Sequence, residues 1–382
     1  MQDTRPPVVT DDELGNLTQF EFLALSSSLN LADGHARQDL TLGQQRVVDD
    51  LPQLWAQAVK QPVDEIEREA IGTYFEVLGQ RSYPAAEGRV LSCYSSSVAM
   101  EIFARSLATV TDRIALVHPT FDNIPDILRG VGLELVAVEE EQLHGGDLDA
   151  ALLDSVGCLF VTTPNNPTGK VVSRERLARL AEQCARHDVV LTLDTSFRGF
   201  DPAAHYDHYE VLRDSGCRWV VIEDTGKLWP TLELKVGWLV SSEHNGLPLG
   251  KVYSDILLGV SPLVLLMIKR LAEDAADGGL ADLHRFIATN RAIVRDGLAG
   301  VPGVTFPDPL SRASVERVHL GSRSGLAVWQ ELRQHNLFAL PCGPFHWARP
   351  EEGGNCLRIA LSRSATAVEA ATRLLRSVLV AP

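Results

Sequence analysis

A chain of 382 residues has room for two or three domains with a sizeable core, which excludes a mini-protein, and 45% hydrophobic against 22% charged residues excludes a disordered chain. The formal net charge of −15 opposes phosphate backbones and anionic lipid and draws in a small cationic ligand. Neither a nucleic-acid partner nor a membrane partner is expected.

The N-terminus, MQDTRPPVVTDDELGNL, lacks the basic stretch and apolar run of a signal peptide, so a cytoplasmic location is expected. Within residues 1–45, TQFEFLAL and NLADGHARQ fit neither a strand of a main sheet nor a linker poor in apolar groups. Residues 46–252 are read as a large α/β domain. From about residue 110, short β-branched runs alternate with helical stretches, the pattern of a mainly parallel sheet covered on both faces. Arg113–His118, Leu133–Val138, Cys158–Thr162, Val189–Asp194 and Trp219–Glu223 read as strands. Ser173–His187 reads as a crossover helix, with Leu177, Leu180, Ala181 and Cys184 on one face. Residues 253–382 change character and are read as a smaller α+β domain. It has helices over Tyr253–Ala276 and Leu280–Leu298, then strands near Leu337–Leu340 and Cys356–Leu361. The apolar stretch Ile256–Ile268 contains Pro262 and is shorter than the roughly 20 residues of a membrane span, so it reads as a buried helix.

Six cysteines show no C-x-x-C pair, and His205 and His208 lack a second ligand pair. Small buried thiols and no metal site are expected.

Ligands of open α/β sheets bind at the carboxyl ends of the strands, and the unusual residues gather there. Thr163-Pro164-Asn165-Asn166-Pro167-Thr168-Gly169 follows one strand, Asp194-Thr195-Ser196-Phe197 ends the next, and Asp224-Thr225-Gly226-Lys227 ends a third. A lysine just past a buried strand end, among small residues, suits a nucleophilic amine. Alone, Lys227 reads as a surface lysine and Asp194 as a helix cap; the ordered series of Asn-Pro-Thr-Gly, aspartate and lysine carries more weight.

That series resembles the class I/II aminotransferases, the fold-type I, aspartate aminotransferase-like enzymes of pyridoxal phosphate, from about Leu40 to the C-terminus. The resemblance implies that Lys227 bonds the cofactor and moves protons at the substrate Cα, and that Asp194 pairs with the pyridine nitrogen. It also implies that Asn166 donates to the phenolic O3′, Phe121 stacks on the ring and Ser196 supports its other face. Ser95, Ser96 and Lys235 would hold the phosphate, and Arg358 would grip the substrate carboxylate. A homodimer with the active site at the subunit interface is implied too.

Three positions depart from the family pattern. Phe197 stands where tyrosine is usual, Lys235 where arginine is usual, and Asp224 where a serine commonly touches phosphate. A carboxylate beside phosphate needs a cation nearby, and a guanidinium substrate would supply one. With CYSSS, HPTFDNI, DTSFRGFD and EDTGKLWPTLELK, the N-terminal segments resemble the pyridoxal phosphate- and O2-dependent L-arginine oxidases and hydroxylases of antibiotic biosynthesis. This closer resemblance implies that Thr18, Glu21, Asp33 and Asp224 engage L-arginine, that His35 is the base for hydroxylation, and that the N-terminal segment covers the site and joins the small domain. The expected reaction is O2-consuming oxidation of L-arginine to 4-hydroxy-2-oxoarginine and 2-oxoarginine. Alternatives are an arginine aminotransferase, a capreomycidine-synthase-like cyclase, or a protein of this fold that binds without turnover.

Overall fold

The structure, a computed structural model, describes residues 14–86 and 88–380. Residues 1–13 of the N-terminal segment, Glu87 and residues 381–382 of the C-terminal domain lie outside the described residues.

Asn16 and Gln19 form a capping box that starts the N-terminal helix Leu17–Ala24. The helix buries Leu17, Phe20 and Ala24, and Phe20 meets Trp329 edge-on with ring centroids 4.8 Å apart. The chain continues into β1 (Leu29–Asn30), which pairs in parallel with Leu337–Phe338 far along the sequence.

The main sheet has seven strands: β2 (Val90–Cys93), β3 (Arg113–His118), β4 (Glu134–Glu139), β5 (Cys158–Thr162), β6 (Val190–Asp194), β7 (Trp219–Asp224) and β8 (Gly237–Ser241), in the order β2-β8-β7-β6-β5-β3-β4. Neighbours from β7 to β4 are parallel, while β8 runs antiparallel to both β2 and β7. Strands β5 to β8 are buried along their whole length, as helices on both faces require. The five strands expected from the sequence are present to within one residue at each end. The crossover helix spans Arg174–Arg186, capped by the Ser173 hydroxyl.

The second sheet has four antiparallel strands, ordered β12-β13-β10-β9, from β9 (Val304–Thr305), β10 (Val315–Leu320), β12 (Leu340–Pro341) and β13 (Cys356–Ala360); Leu337–Phe338 is β11. The run read as one strand near Leu337–Leu340 is therefore divided between two sheets. The single helix expected over Tyr253–Ala276 is also corrected. It is two helices, Leu249–Ile256 and Pro262–Asp274, with Leu257 extended between them and Pro262 at the first position of the second. Proline lacks the N–H and biases its predecessor away from helix, which breaks the run there. All six cysteines are free and buried. Among the described residues no helix is long and apolar enough to cross a membrane.

The ends of β6 and β7 are joined by a fully buried ion pair. Arg198, just after β6, reaches Glu223 of β7 through Nη2–Oε1 at 2.9 Å and Nε–Oε2 at 3.3 Å, and the Tyr209 hydroxyl donates to Glu223 Oε1 at 3.0 Å. Removing one member of such a pair strands a charge in the core. Arg198→Met is expected to lower unfolding free energy by about 3–5 kcal/mol in urea titrations; a loss below about 1 kcal/mol would show that the pair does not hold these strand ends.

Candidate functional site

The carboxyl ends of β5, β6 and β7, the start of helix Ser96–Leu107 and the N-terminal segment enclose one cavity of about 170 Å³. Its wall contains Thr18, Glu21, His35, Ser95, Ser96, Phe121, Asn166, Asp194, Ser196, Asp224, Lys227, Lys235 and Arg358. Of the residues singled out from the sequence, Asp33 alone is missing from that wall. The N-terminal segment passes close over the site. A methyl group on Gly34 would lie 3.5 Å from Arg358 Nη1 and 3.8 Å from Lys227 Nζ.

The residues fit a flat, anionic, pyridine-containing cofactor. Ser95 caps helix Ser96–Leu107, its hydroxyl accepting from Val98 N–H at 3.2 Å, so free N–H groups at the helix start point to where an anion is favoured. Gly237 lets this turn approach β8, because a Cβ there would lie 2.5 Å from the Ser95 carbonyl carbon. At the other end of the cavity Asp194 is buried, and Ser196 donates to its Oδ1 through backbone N–H at 2.9 Å and hydroxyl at 2.6 Å. Burial pushes the Asp194 carboxyl up to about 6, against those two bonds. A cationic ring nitrogen would return it to the ionised form. The buried side-chain oxygen of Asn166 has no protein partner, so the amide can turn and present its NH2 group to a ligand acceptor.

Charge around the rest of the cavity is arranged in opposed pairs. Arg358 is fully buried, stacks over Phe345 at 5.6 Å, bonds the Ala32 carbonyl and lies 3.6 Å from Glu21. Burial lowers its pKa from the ordinary guanidinium value, with Glu21 opposing. Burial raises the Glu21 carboxyl, with Arg358 and Lys227 opposing. Asp224 accepts from Ser96 Oγ at 3.0 Å and from Gly226 N–H at 2.9 Å. Lys235, expected at a phosphate, here points to His35 Nε2 at 2.8 Å and Glu233 Oε2 at 2.7 Å.

Several residues near the site escaped the sequence reading. Glu233 has left-handed backbone, φ +70°, beside Leu232 at +52°. Neither is glycine, so nothing in the sequence flags this strained turn, which brings the Glu233 carboxylate to Lys235. Glu140, buried, accepts from Asn165 at 2.7 Å and from Thr168 at 2.5 Å and pairs with Lys170, fixing the Asn-Asn-Pro-Thr-Gly loop. Asp122, next to Phe121, accepts from Leu17 N–H at 2.6 Å and so ties the N-terminal helix to the main domain. Elsewhere, His118, His346 and Glu352 bring ligand-type atoms within 4.8 Å of one another, but Arg349 already pairs there with Glu139 and Glu352.

Residues 61–375 match the family described as Aminotransferase class I and II. A solved structure of MppP soaked with the product 2-ketoarginine is 66% identical, covers 92% of this chain and 100% of that one, and superposes with a TM-score of 0.92. Aspartate aminotransferase from Thermus thermophilus with maleate is 16% identical over 95% of this chain and 96% of its own, TM-score 0.76, a likeness of fold alone. Among curated relatives, the aromatic amino acid aminotransferase of Rhodococcus jostii strain RHA1 is 27% identical over 63% of this chain and 65% of its own. Histidinol-phosphate aminotransferase 2 of Pasteurella multocida strain Pm70 is 24% identical over 50% and 53%. The chain thus matches less than two thirds of the length of those two relatives.

Burial pushes the Asp122 carboxyl up to about 7, although the Leu17 N–H lowers it. The unfolded carboxyl ionises near 4, so between about pH 4 and pH 7 the unfolded chain has lost a proton that the native state keeps. Native stability therefore falls as pH rises through this window, and Asp122→Asn removes that loss. Between pH 4 and pH 8 the stability difference should move in favour of the variant by on the order of 2–4 kcal/mol in urea unfolding. Parallel pH profiles would contradict it.

Proposed function

Because the chain belongs to the aminotransferase class I and II family, we propose that it binds pyridoxal phosphate and uses O2 to oxidise L-arginine. The products are 4-hydroxy-2-oxoarginine and, as a shunt, 2-oxoarginine, made for an antibiotic pathway. The observation that carries this reading is a single cavity in which Lys227 and Arg358 share the wall with three carboxylates, Glu21, Asp194 and Asp224. The 66% identical MppP, whose structure was obtained after soaking with the product 2-ketoarginine, supports arginine as the substrate.

When bound, pyridoxal phosphate supplies a conjugated ring that accepts the electron pair released as the substrate Cα–H bond breaks. Asp194 would hold the pyridine nitrogen protonated, Asn166 would donate to O3′, and Phe121 and Ser196 would flank the ring. Ser95 and Ser96 would hold the phosphate, and Lys235 would join them only on leaving His35 Nε2, where it lies in this structure. Lys227 removes the Cα proton. Arg358 takes the α-carboxylate in two parallel bonds, while Thr18, Glu21 and Asp224 receive the guanidinium. The N-terminal segment keeps bulk water from the reacting atoms. His35 then activates one water for addition at Cγ. Simple oxidation consumes one O2 and one water per arginine and releases ammonia and hydrogen peroxide. Hydroxylation consumes a second O2 and a second water and releases a second peroxide.

We also read the protein as a homodimer with its site at the interface. Leu232 at 91% exposure and Trp55 at 64% are the kind of apolar side chains that a second copy covers.

The test is an oxygen electrode with purified, cofactor-loaded protein and L-arginine alone, with products weighed by mass spectrometry. Oxygen uptake with a hydroxylated 2-oxo acid is expected, and in His35→Ala the hydroxylated product should give way to 2-oxoarginine. Turnover only on addition of a 2-oxo acid, with no oxygen uptake, would return the protein to ordinary transamination.

A further inference from the structure

The geometry points to Asp33 as a positioning residue that acts through His35, holding the ring proton on Nδ1 so that Nε2 is the proton acceptor. This deepens the reading of His35 as the hydroxylation base and rests on it. It also moves Asp33 away from the substrate guanidinium, where the sequence resemblance put it.

Two contacts fix the ring. Lys235 Nζ lies 2.8 Å from His35 Nε2. An ammonium has donors and no acceptor, so Nε2 must be the unprotonated nitrogen and the ring proton must sit on Nδ1. Nδ1 lies 2.8 Å from Asp33 Oδ1, and the same oxygen accepts the His35 backbone N–H at 2.7 Å. The other oxygen, Oδ2, pairs with Arg37 Nε and lies 3.9 Å from the buried Arg363 guanidinium, which also donates to the Asp33 carbonyl. Asn30 Oδ1 accepts the Asp33 N–H at 3.2 Å.

Both carboxylate oxygens are thus engaged within the protein, and Asp33 is 1% exposed and off the cavity wall, whereas His35 is on it. Burial alone would raise the Asp33 carboxyl, but the His35 ring and Arg363 hold it well below the usual carboxylate range. An ionised, immobile partner on Nδ1 fixes both the tautomer and the orientation of the imidazole. In the hydroxylation step, the water oxygen forms a bond to Cγ with its own electron pair as the Cβ=Cγ π bond of the already oxidised substrate breaks and its electron pair moves into the conjugated system, and one water O–H proton passes to Nε2. The imidazolium so formed keeps its Nδ1–H bond to Asp33. Lys235, also held by Glu233, must first leave Nε2.

The test combines 15N NMR of histidine-labelled, cofactor-loaded protein, with His35 assigned by its absence in His35→Ala, and product partition by mass spectrometry. The expected wild-type ring is the Nδ1–H tautomer. Asp33→Ala should shift it to Nε2–H and cut the ratio of hydroxylated product to 2-oxoarginine at least fivefold, with Asp33→Glu restoring most of both. Arg37→Ala removes a second side-chain partner of Asp33 and should leave the tautomer as it is, separating ring positioning from general loosening of the segment. An Nε2–H ring in the wild type, or an Asp33→Ala protein with unchanged tautomer and partition, would overturn the assignment. Should Asp33→Ala fail to fold, the wild-type tautomer decides. The ring measurement needs no turnover, so a failure of the hydroxylase reading is seen separately, as absence of hydroxylated product from the wild type.

Discussion

Arg198 and Glu223 set the frame of the site. Neither side chain is exposed, and their double contact, with the Tyr209 hydroxyl as third member, ties the loop after β6 to the last turn of β7. Asp194 precedes that loop, and Asp224 and Lys227 follow Glu223 directly. A shift of one strand end against the other would therefore change the distance between the groups assigned to the pyridine nitrogen and to the reacting carbon. Such a pair is costly to desolvate, so its value lies in fixing one geometry more than in net stability.

On this frame the N-terminal segment completes an enclosed, charged cavity. It is held to β11 by β1, to the four-stranded sheet by the Leu31 carbonyl, which accepts from Ala360 N–H, to Trp329 by Phe20, and to the main domain by Leu17 N–H on Asp122. On the cavity wall Arg358 lies beside Glu21, and Lys235 is held by Glu233, which stands just outside that wall. In a low-dielectric pocket these groups are satisfied by each other or by a ligand of complementary charge at both ends, which is the description of a cationic amino acid.

The parts of this arrangement legible in the sequence were those with a local signature. Strands β5 to β7 are buried on both faces and so read as continuous apolar runs, and the residues at their ends stand out against them. Strand β2 is short and only half buried, while β8 is as long and as buried as β5 and β6 but begins at Gly237, for a contact with Ser95 that no local pattern announces. The resemblance, not spacing, put Asp33 near the site, and it did not give the direction of the carboxylate, because Arg37 and Arg363 claim one side of it and His35 the other. Glu233 depends on a left-handed turn at non-glycine residues, and Asp122 on a contact with Leu17 across the chain. Long-range contacts of this kind leave no periodicity to read.

The proposed selection is of a cationic side chain by buried carboxylates in this cavity, with the other end of the ligand held by Arg358. Its most direct measurement is equilibrium binding to the cofactor-loaded protein without oxygen, comparing L-arginine with L-citrulline, which has nearly the same shape and no charge on the side chain. The account predicts that arginine binds at least 100-fold more tightly, about 2.7 kcal/mol. Equal affinities would mean that Glu21 and Asp224 do not read the substrate charge, and would contradict it.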